Sequence, residues 1–236
     1  MNVILRGGAT LTRGRLPVAV LYRQHSMALF HRATITPTKD ELIAEWAPRQ
    51  RWSPPSAGSL KVIGSYRLDD PDGRVGMEIH IVDAGGTILQ VPLTYRDEPL
   101  AEADEALITE MQHSVLGTRW VYDGLRDPLL VVMLAGVTMT GQGEALGMAV
   151  YDGRWYIAPT GVRVQGGGWT LERVPVDRFE LECDEAEGSV LHNDRFTFTV
   201  HRRPAAGPRP EIALTATWAG LPAPVVLAEI KEREID

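Results

Sequence analysis

The stretch Leu60–Tyr95, LKVIGSYRLDDPDGRVGMEIHIVDAGGTILQVPLTY, decides the fold. Within Val75–Val82, Met77, Ile79 and Ile81 alternate with Glu78, His80 and Val82, the period of a strand with two distinct faces. Asp69-Asp70-Pro71-Asp72-Gly73 before it and Asp83-Ala84-Gly85-Gly86 after it have turn composition. Strands at Leu60–Leu68, Val75–Val82 and Thr87–Tyr95 therefore form an antiparallel meander. A helix precedes them. Thr38 with Glu41 three positions on makes a capping box, Leu42, Ile43 and Trp46 share one helical face, and Pro48 ends it. A meander beside a helix is an α+β unit.

Toward the C-terminus, Ala106–Gln112 reads as a short helix and Thr118–Tyr122 as a short strand. Pro128 suits the first residue of a helix running to about Thr140, and Gly141-Gln142-Gly143 ends it. Beyond it the chain becomes β-rich. Ala149–Ile157, Gly161–Gln165, Arg178–Glu182, Arg195–Arg202, Ile212–Thr217 and Val225–Ile230 read as short strands between glycine and proline turns. No internal repeat is apparent. The expected division is 27–145 for the α+β unit and 146–236 for the β-rich unit. Residues 1–26 carry four arginines and no acid and are expected to be a disordered or mis-assigned extension, with Met27 the natural start.

Composition narrows the function classes. A net charge of −7 argues against a nucleic-acid partner. The lone Cys183 forms neither an internal disulfide nor a cysteine metal cluster, which suits the cytoplasm. The apolar runs fall well short of about 20 residues, so no membrane span and no membrane partner are expected.

Residues with chemical potential fall into ordinary patterns. The six histidines show no H-E-x-x-H or other ligand spacing, so no metal site is expected. His113, Ser114 and Asp123 lie close together, but no G-x-S-x-G elbow accompanies them. His113 and Ser114 read instead as fixing a turn, and Asp123 or Asp127 as the cap of the following helix. Gly141-Gln142-Gly143 follows a helix and Gly166-Gly167-Gly168 lies between strands, so both read as turns rather than phosphate loops. No catalytic residue and no cofactor-binding residue is assigned. The candidate interaction surface comprises Arg49, Arg51, Trp52, His113, Arg119, Trp120 and Asp123. Trp46, Trp52 and Trp120 are also weighed as a sugar-stacking surface, against a role as core or interface anchors.

Several of these segments together resemble a known family. They are His31-Arg32-Ala33-Thr34, Thr36-Pro37-Thr38, Arg51-Trp52, Gly64-Ser65-Tyr66-Arg67, Asp69-Asp70-Pro71, Gly76-Met77-Glu78, Gln90–Arg96 and His113–Asp123. The combination resembles the N-terminal cap domain of actinobacterial maltokinases, and more closely a group of stand-alone cap-like proteins, over roughly Met27–Gly141. The resemblance implies a cystatin-like sheet and helix for the first half. It carries over no catalysis, because the family's cap does not hold the catalytic residues. Gly188–Arg203 resembles the first hairpin of the maltokinase N-lobe, and the β-rich unit is accordingly similar to a kinase intermediate region and N-lobe. Thr199 stands where the family's lysine contacts ATP phosphates, and a threonine cannot supply that charge. The 25 residues after Glu211 contain no H-x-D-x-x-x-x-N catalytic loop.

The resemblance, together with the missing lysine and catalytic loop, implies a non-catalytic accessory, interaction or regulatory module in α-glucan, maltose or trehalose metabolism. Its expected partners are a kinase or glucan-metabolism protein, or a glucan, with no cofactor. The alternatives are a sugar phosphotransferase subunit or divergent glucan-acting enzyme, and a carbohydrate-binding module.

Overall fold

A computed structural model describes residues 28–29, 33–55, 59–158, 160–168 and 173–233. The expectations for 1–26, Met27 and His31-Arg32 lie outside these residues. The first unit opens with β1 (Ala28–Leu29), β2 (Ile35–Thr36) and α1 (Lys39–Trp46). The Thr38–Glu41 capping box forms in both directions, and Pro48 sits in the 3-10 turn Ala47–Arg49 that closes α1. Then come β3 (Lys61–Leu68), β4 (Gly76–Ala84), β5 (Thr87–Arg96), β6 (Leu107–His113) and β7 (Gly117–Asp123). Apart from β1 these strands make one antiparallel sheet in the order β2-β6-β7-β5-β4-β3.

The alternation in β4 works as its sequence requires. Val82, with Leu89, Val91 and Leu93 of β5 and Val121 of β7, packs against Leu42 and Ile43 of α1 and against Trp52. Met77, Ile79 and Ile81 face the opposite way, joining Tyr66 and Leu68 of β3 in a second and larger core. The sheet is thus buried on both faces, which explains the nearly continuous burial of β4 and β5.

The second core is filled from the other half of the chain. α2 (Pro128–Thr140) begins on Pro128 and ends at Gly141, whose φ of 68° is the left-handed cap that glycine adopts without a Cβ penalty. β8 (Gly147–Tyr151) and β9 (Arg154–Ile157) form a hairpin. β10 (Val162–Gly166), β11 (Glu180–Asp184), β12 (Ser189–His192), β13 (Phe196–Val200), β14 (Ala213–Trp218) and β15 (Val225–Glu232) form a second antiparallel sheet. Leu130 and Leu134 of α2, Val162 and Val164 of β10, and Phe196, Phe198 and Val200 of β13 complete the core begun by Met77 and Ile79. One apolar interior therefore spans residues on both sides of position 145.

The two six-stranded sheets share one topology. The second runs β10-β14-β15-β13-β12-β11, and the first runs β2-β6-β7-β5-β4-β3. Taken in chain order, each sheet places its first strand at one edge. The chain then crosses to the opposite edge, makes a three-strand meander, and returns with a hairpin. Register shifts also fall at corresponding places, between β3 and β4 and between β11 and β12. In the first sheet the crossover carries α1. In the second it is the segment 167–179, whose described residues contain no helix, while α2 enters from before β10 and packs on that sheet.

Three local expectations change. Residues 107–113 form β6 rather than a helix, because pairing with β2 and β7 overrides local propensity. Ala149–Ile157 is two strands joined at Asp152-Gly153, whose φ values of 49° and 72° are those of a two-residue hairpin turn. Gly166-Gly167-Gly168 is the end of β10 lying against α2, rather than a free turn. Gly168 N donates to Thr138 O at 3.1 Å, and a Cβ on Gly166 would overlap the Val137 carbonyl. Close backbone approach therefore accounts for the glycines at 166 and 168.

Candidate functional site

The two sheets meet at a polar seam, built around a residue in an unexpected position. Phe196, Phe198 and Val200 of β13 are buried in the core, and Arg202, in the bend just past that strand, is also interior, at 0% exposed. Its Nη2 donates to both Asp123 oxygens at 3.1 and 3.0 Å, and its Nε donates to Asp184 Oδ1 at 2.9 Å and Ser189 Oγ at 2.8 Å. The Trp52 ring covers the guanidinium, 4.8 Å from its centroid to Cζ, and Arg203 Nε donates to the Trp52 carbonyl at 2.7 Å. Burial opposes the charge on Arg202, but Asp123 and Asp184 outweigh it and raise the guanidinium pKa above its ordinary value.

Gln90 stitches the same seam. Its Nε2 donates to the His201 and Leu227 carbonyls at 3.1 and 3.0 Å, its Oε1 accepts from Tyr66 Oη at 3.0 Å, and its backbone N donates to Arg202 O at 2.8 Å. Arg96 does a related task for α2. It forms a two-pronged ion pair with Asp127, both bonds 2.7 Å, while Asp127 caps the helix at Leu129 N.

Beside Arg202 the seam opens into a cleft of about 400 Å³ lined by Gln50, Arg51, Arg126, Glu182, Asp184 and Glu185, with Cys183 and Leu181 at its wall. Arg51 reaches across to Glu185 at 3.3 Å. The cleft presents mixed charge on exposed side chains over a fixed, buried base. That arrangement can hydrogen-bond a polar partner surface. Among its described lining residues, no nucleophile is hydrogen-bonded to a base.

The structure distributes the sequence-derived surface over three settings. Arg49 and Arg51 are exposed, and Arg51 lines the cleft. Trp52 and Asp123 are interior, at 0% and 4% exposure, and meet through Arg202 rather than facing a ligand. His113, Arg119 and Trp120 lie on β6–β7 and are half-buried. His113 Nδ1 accepts from Val115 N and Leu116 N, and Ser114 exchanges hydrogen bonds with Thr34. Those groups hold the β6–β7 turn. Of the two aspartates weighed as the cap of the following helix, Asp127 caps α2, and Asp123 accepts from Leu125 N to cap the 3-10 turn Gly124–Arg126. Arg202, Asp184, Ser189, Gln90 and Arg126 are the seam residues the sequence reading missed. The available signal was Arg202 itself, a charge that continues in sequence the parity of Phe196, Phe198 and Val200.

The family model described as the maltokinase N-terminal cap domain matches residues 46–127, from the end of α1 through β7 to the start of α2. The chain carries a maltokinase N-terminal cap-like domain. No curated protein matches the chain. The cap-domain match covers β3–β7 together with Trp52 and Asp123, so one side of the seam belongs to the cap-like domain. The other side, Asp184, Ser189 and Arg202, comes from the second sheet. No helix among the described residues is long and apolar enough to cross a membrane.

Proposed function

We propose that this protein is a cytoplasmic, non-catalytic accessory module related to the amino-terminal region of maltokinase. It acts by contact with a kinase or glucan-metabolising protein in α-glucan, maltose or trehalose metabolism. The observation that carries this reading is the cap-domain match joined to the seam geometry. The residues with the greatest chemical potential in that domain hold structure. His113 and Ser114 fix a turn, and Asp123 neutralises a buried arginine.

The second sheet supports the same reading. Thr199 on β13 pairs with Val190 and Glu229, and its neighbours Phe198 and Val200 are both 0% exposed in the core. No one-residue register shift brings a cation to that place. The cleft beside Arg51 and Arg126 is the contact surface this reading uses. Affinity capture from the native host with the tagged chain tests it. An Arg51→Glu/Arg126→Glu chain should lose a kinase or glucan-metabolising partner that the unaltered chain captures. Capture of no such protein by the unaltered chain would count against the reading.

The mixed acids, arginines and glutamine of the cleft also suit sugar hydroxyls, which favours carbohydrate binding as the second reading. Trp52 contributes no stacking face to it, being buried under Arg202. Glycan-array binding lost on Arg51→Glu would select this reading over the first.

A further inference from the structure

A second cleft, of about 980 Å³, opens at the start of β13, the opposite end of that strand from Arg202. That volume lies within the range of small-molecule pockets, about 300–1,000 Å³. Its base is apolar. Phe196, Ile230 and Met139 are core residues at 2%, 2% and 6% exposure, and the half-buried Val174 and Ile212 extend it. A ligand that fills this base needs an apolar body.

Most of the charge on its wall is already committed. Arg195 donates to Glu232 Oε1 at 2.7 Å and lies over the Phe196 ring, and Lys231 donates to Glu229 at 3.0 Å. Arg209 and Glu211 remain, and neither has an ion-pair partner among the described residues. Arg209 is nevertheless held. Pro208 and Pro210 flank it and restrict the backbone on both sides. A Cβ on Gly167 would overlap Arg209 Nη2 and come within 3.3 Å of Cζ, so the missing side chain leaves the guanidinium its seat. Gly167 N donates to Ala213 O at 2.7 Å, which fixes that seat to β14.

We infer that this cleft binds an amphipathic monocarboxylate, its carboxylate on Arg209 and its aliphatic body on Phe196, Ile230 and Met139. A planar guanidinium meets a carboxylate through two parallel hydrogen bonds, and no carboxylate of the described chain competes for Arg209. Glu211, two residues further along the same wall, limits the charge the site accepts. Arg209 balances one negative charge; a second would meet the Glu211 carboxylate unopposed. A neutral or cationic amphiphile would gain nothing from Arg209. The cleft and the seam lie at opposite ends of β13, so the inference is independent of the proposed function.

Isothermal titration of the full chain with decanoate at physiological salt tests it. Saturable binding of a single decanoate per chain is expected. Decan-1-ol carries no charge and decyl phosphate about −1.5 to −2 at neutral pH, and each should bind about tenfold or more weakly than decanoate. Arg209→Gln should weaken decanoate by about tenfold or more and leave decan-1-ol unchanged. Gly167→Ala should act in the same direction by displacing the guanidinium. Circular dichroism identifies a variant that fails to fold, and the head-group comparison on the unaltered chain then decides. No saturable decanoate binding up to millimolar concentration overturns the inference. So does decyl phosphate or decan-1-ol binding as tightly as decanoate, or a folded Arg209→Gln chain that keeps full decanoate affinity.

Discussion

Arg202 Nη2 grips both oxygens of Asp123, at 3.1 and 3.0 Å, across the boundary between the two sheets. The pair lies 79 residues apart in the chain and is buried at both ends. Removing the guanidinium leaves Asp123 and Asp184 without their shared counter-charge. Arg202→Met is expected to destabilise the fold by about 3–5 kcal/mol, the cost of breaking a buried ion pair from one side. Urea unfolding measures it. Arg202→Lys should recover little of the loss, because one ammonium cannot reproduce the two-sided fork. A loss below about 1 kcal/mol would show that the seam is not cooperative with the cores.

The tryptophans divide by burial. Trp52→Ala empties a fully buried site and removes the cover of Arg202, so a loss of about 3–5 kcal/mol is expected. Trp120 on β7 is only half-buried, so Trp120→Ala should cost roughly half as much. Equal effects in thermal unfolding would contradict this placement.

The glycines of α2 and β10 make a sharper pair. Gly136 has nothing within 4 Å of a Cβ position, so Gly136→Ala should stabilise the helix by about 0.5–1 kcal/mol. Gly166→Ala pushes a methyl group into the Val137 carbonyl and should destabilise the fold. Opposite signs of ΔTm are the expected outcome.

Acid sensitivity centres on His80 and Glu78, which face Lys39, Asp40, Arg67, Ser65 and Tyr95 under α1. Burial lowers the His80 pKa below its ordinary 6.5, despite the nearby Glu78 carboxylate. The unfolded chain therefore takes up that proton first, and stability falls as pH drops below about 6.5. Burial pushes Glu78 up, but His80, Lys39 and Arg67 outweigh it and hold the carboxyl at about 2, against an ordinary 4.5. Its contribution is present above 4.5 and is lost as pH falls toward 2. Tm should decline in two limbs on acidification, and His80→Gln should remove the upper one. A Tm that holds steady from pH 6.5 down to 4.5 in the unaltered chain would refute this.

α1 and the β3–β5 meander of the first sheet were legible because their signals were local. Alternation in β4, the Thr38–Glu41 box and the Asp83–Gly86 turn each specify structure within a few residues. Two elements, one in each half of the chain, were harder to read. β6 has no local helix-breaking residue, and only its partners β2 and β7 make it a strand. The Asp152-Gly153 turn was missed inside one apolar run, although that dipeptide is a strong hairpin signal. The shared strand order of the two sheets leaves no repeat in the sequence, because topology constrains which positions are apolar and where turns fall, not residue identity. The candidate site was half visible. Arg51, Trp52 and Asp123 were found, but Arg202, the common partner of Trp52 and Asp123, lies just past the end of β13, and no spacing rule links residues that far apart.

An accessory module of the kind proposed has no phosphoryl-transfer activity of its own. Formation of phosphorylated maltose from ATP, Mg²⁺ and maltose by the purified chain tests it most directly. The expected rate equals that of the protein-free control at all substrate concentrations. Saturable product formation that scales with protein concentration would contradict it.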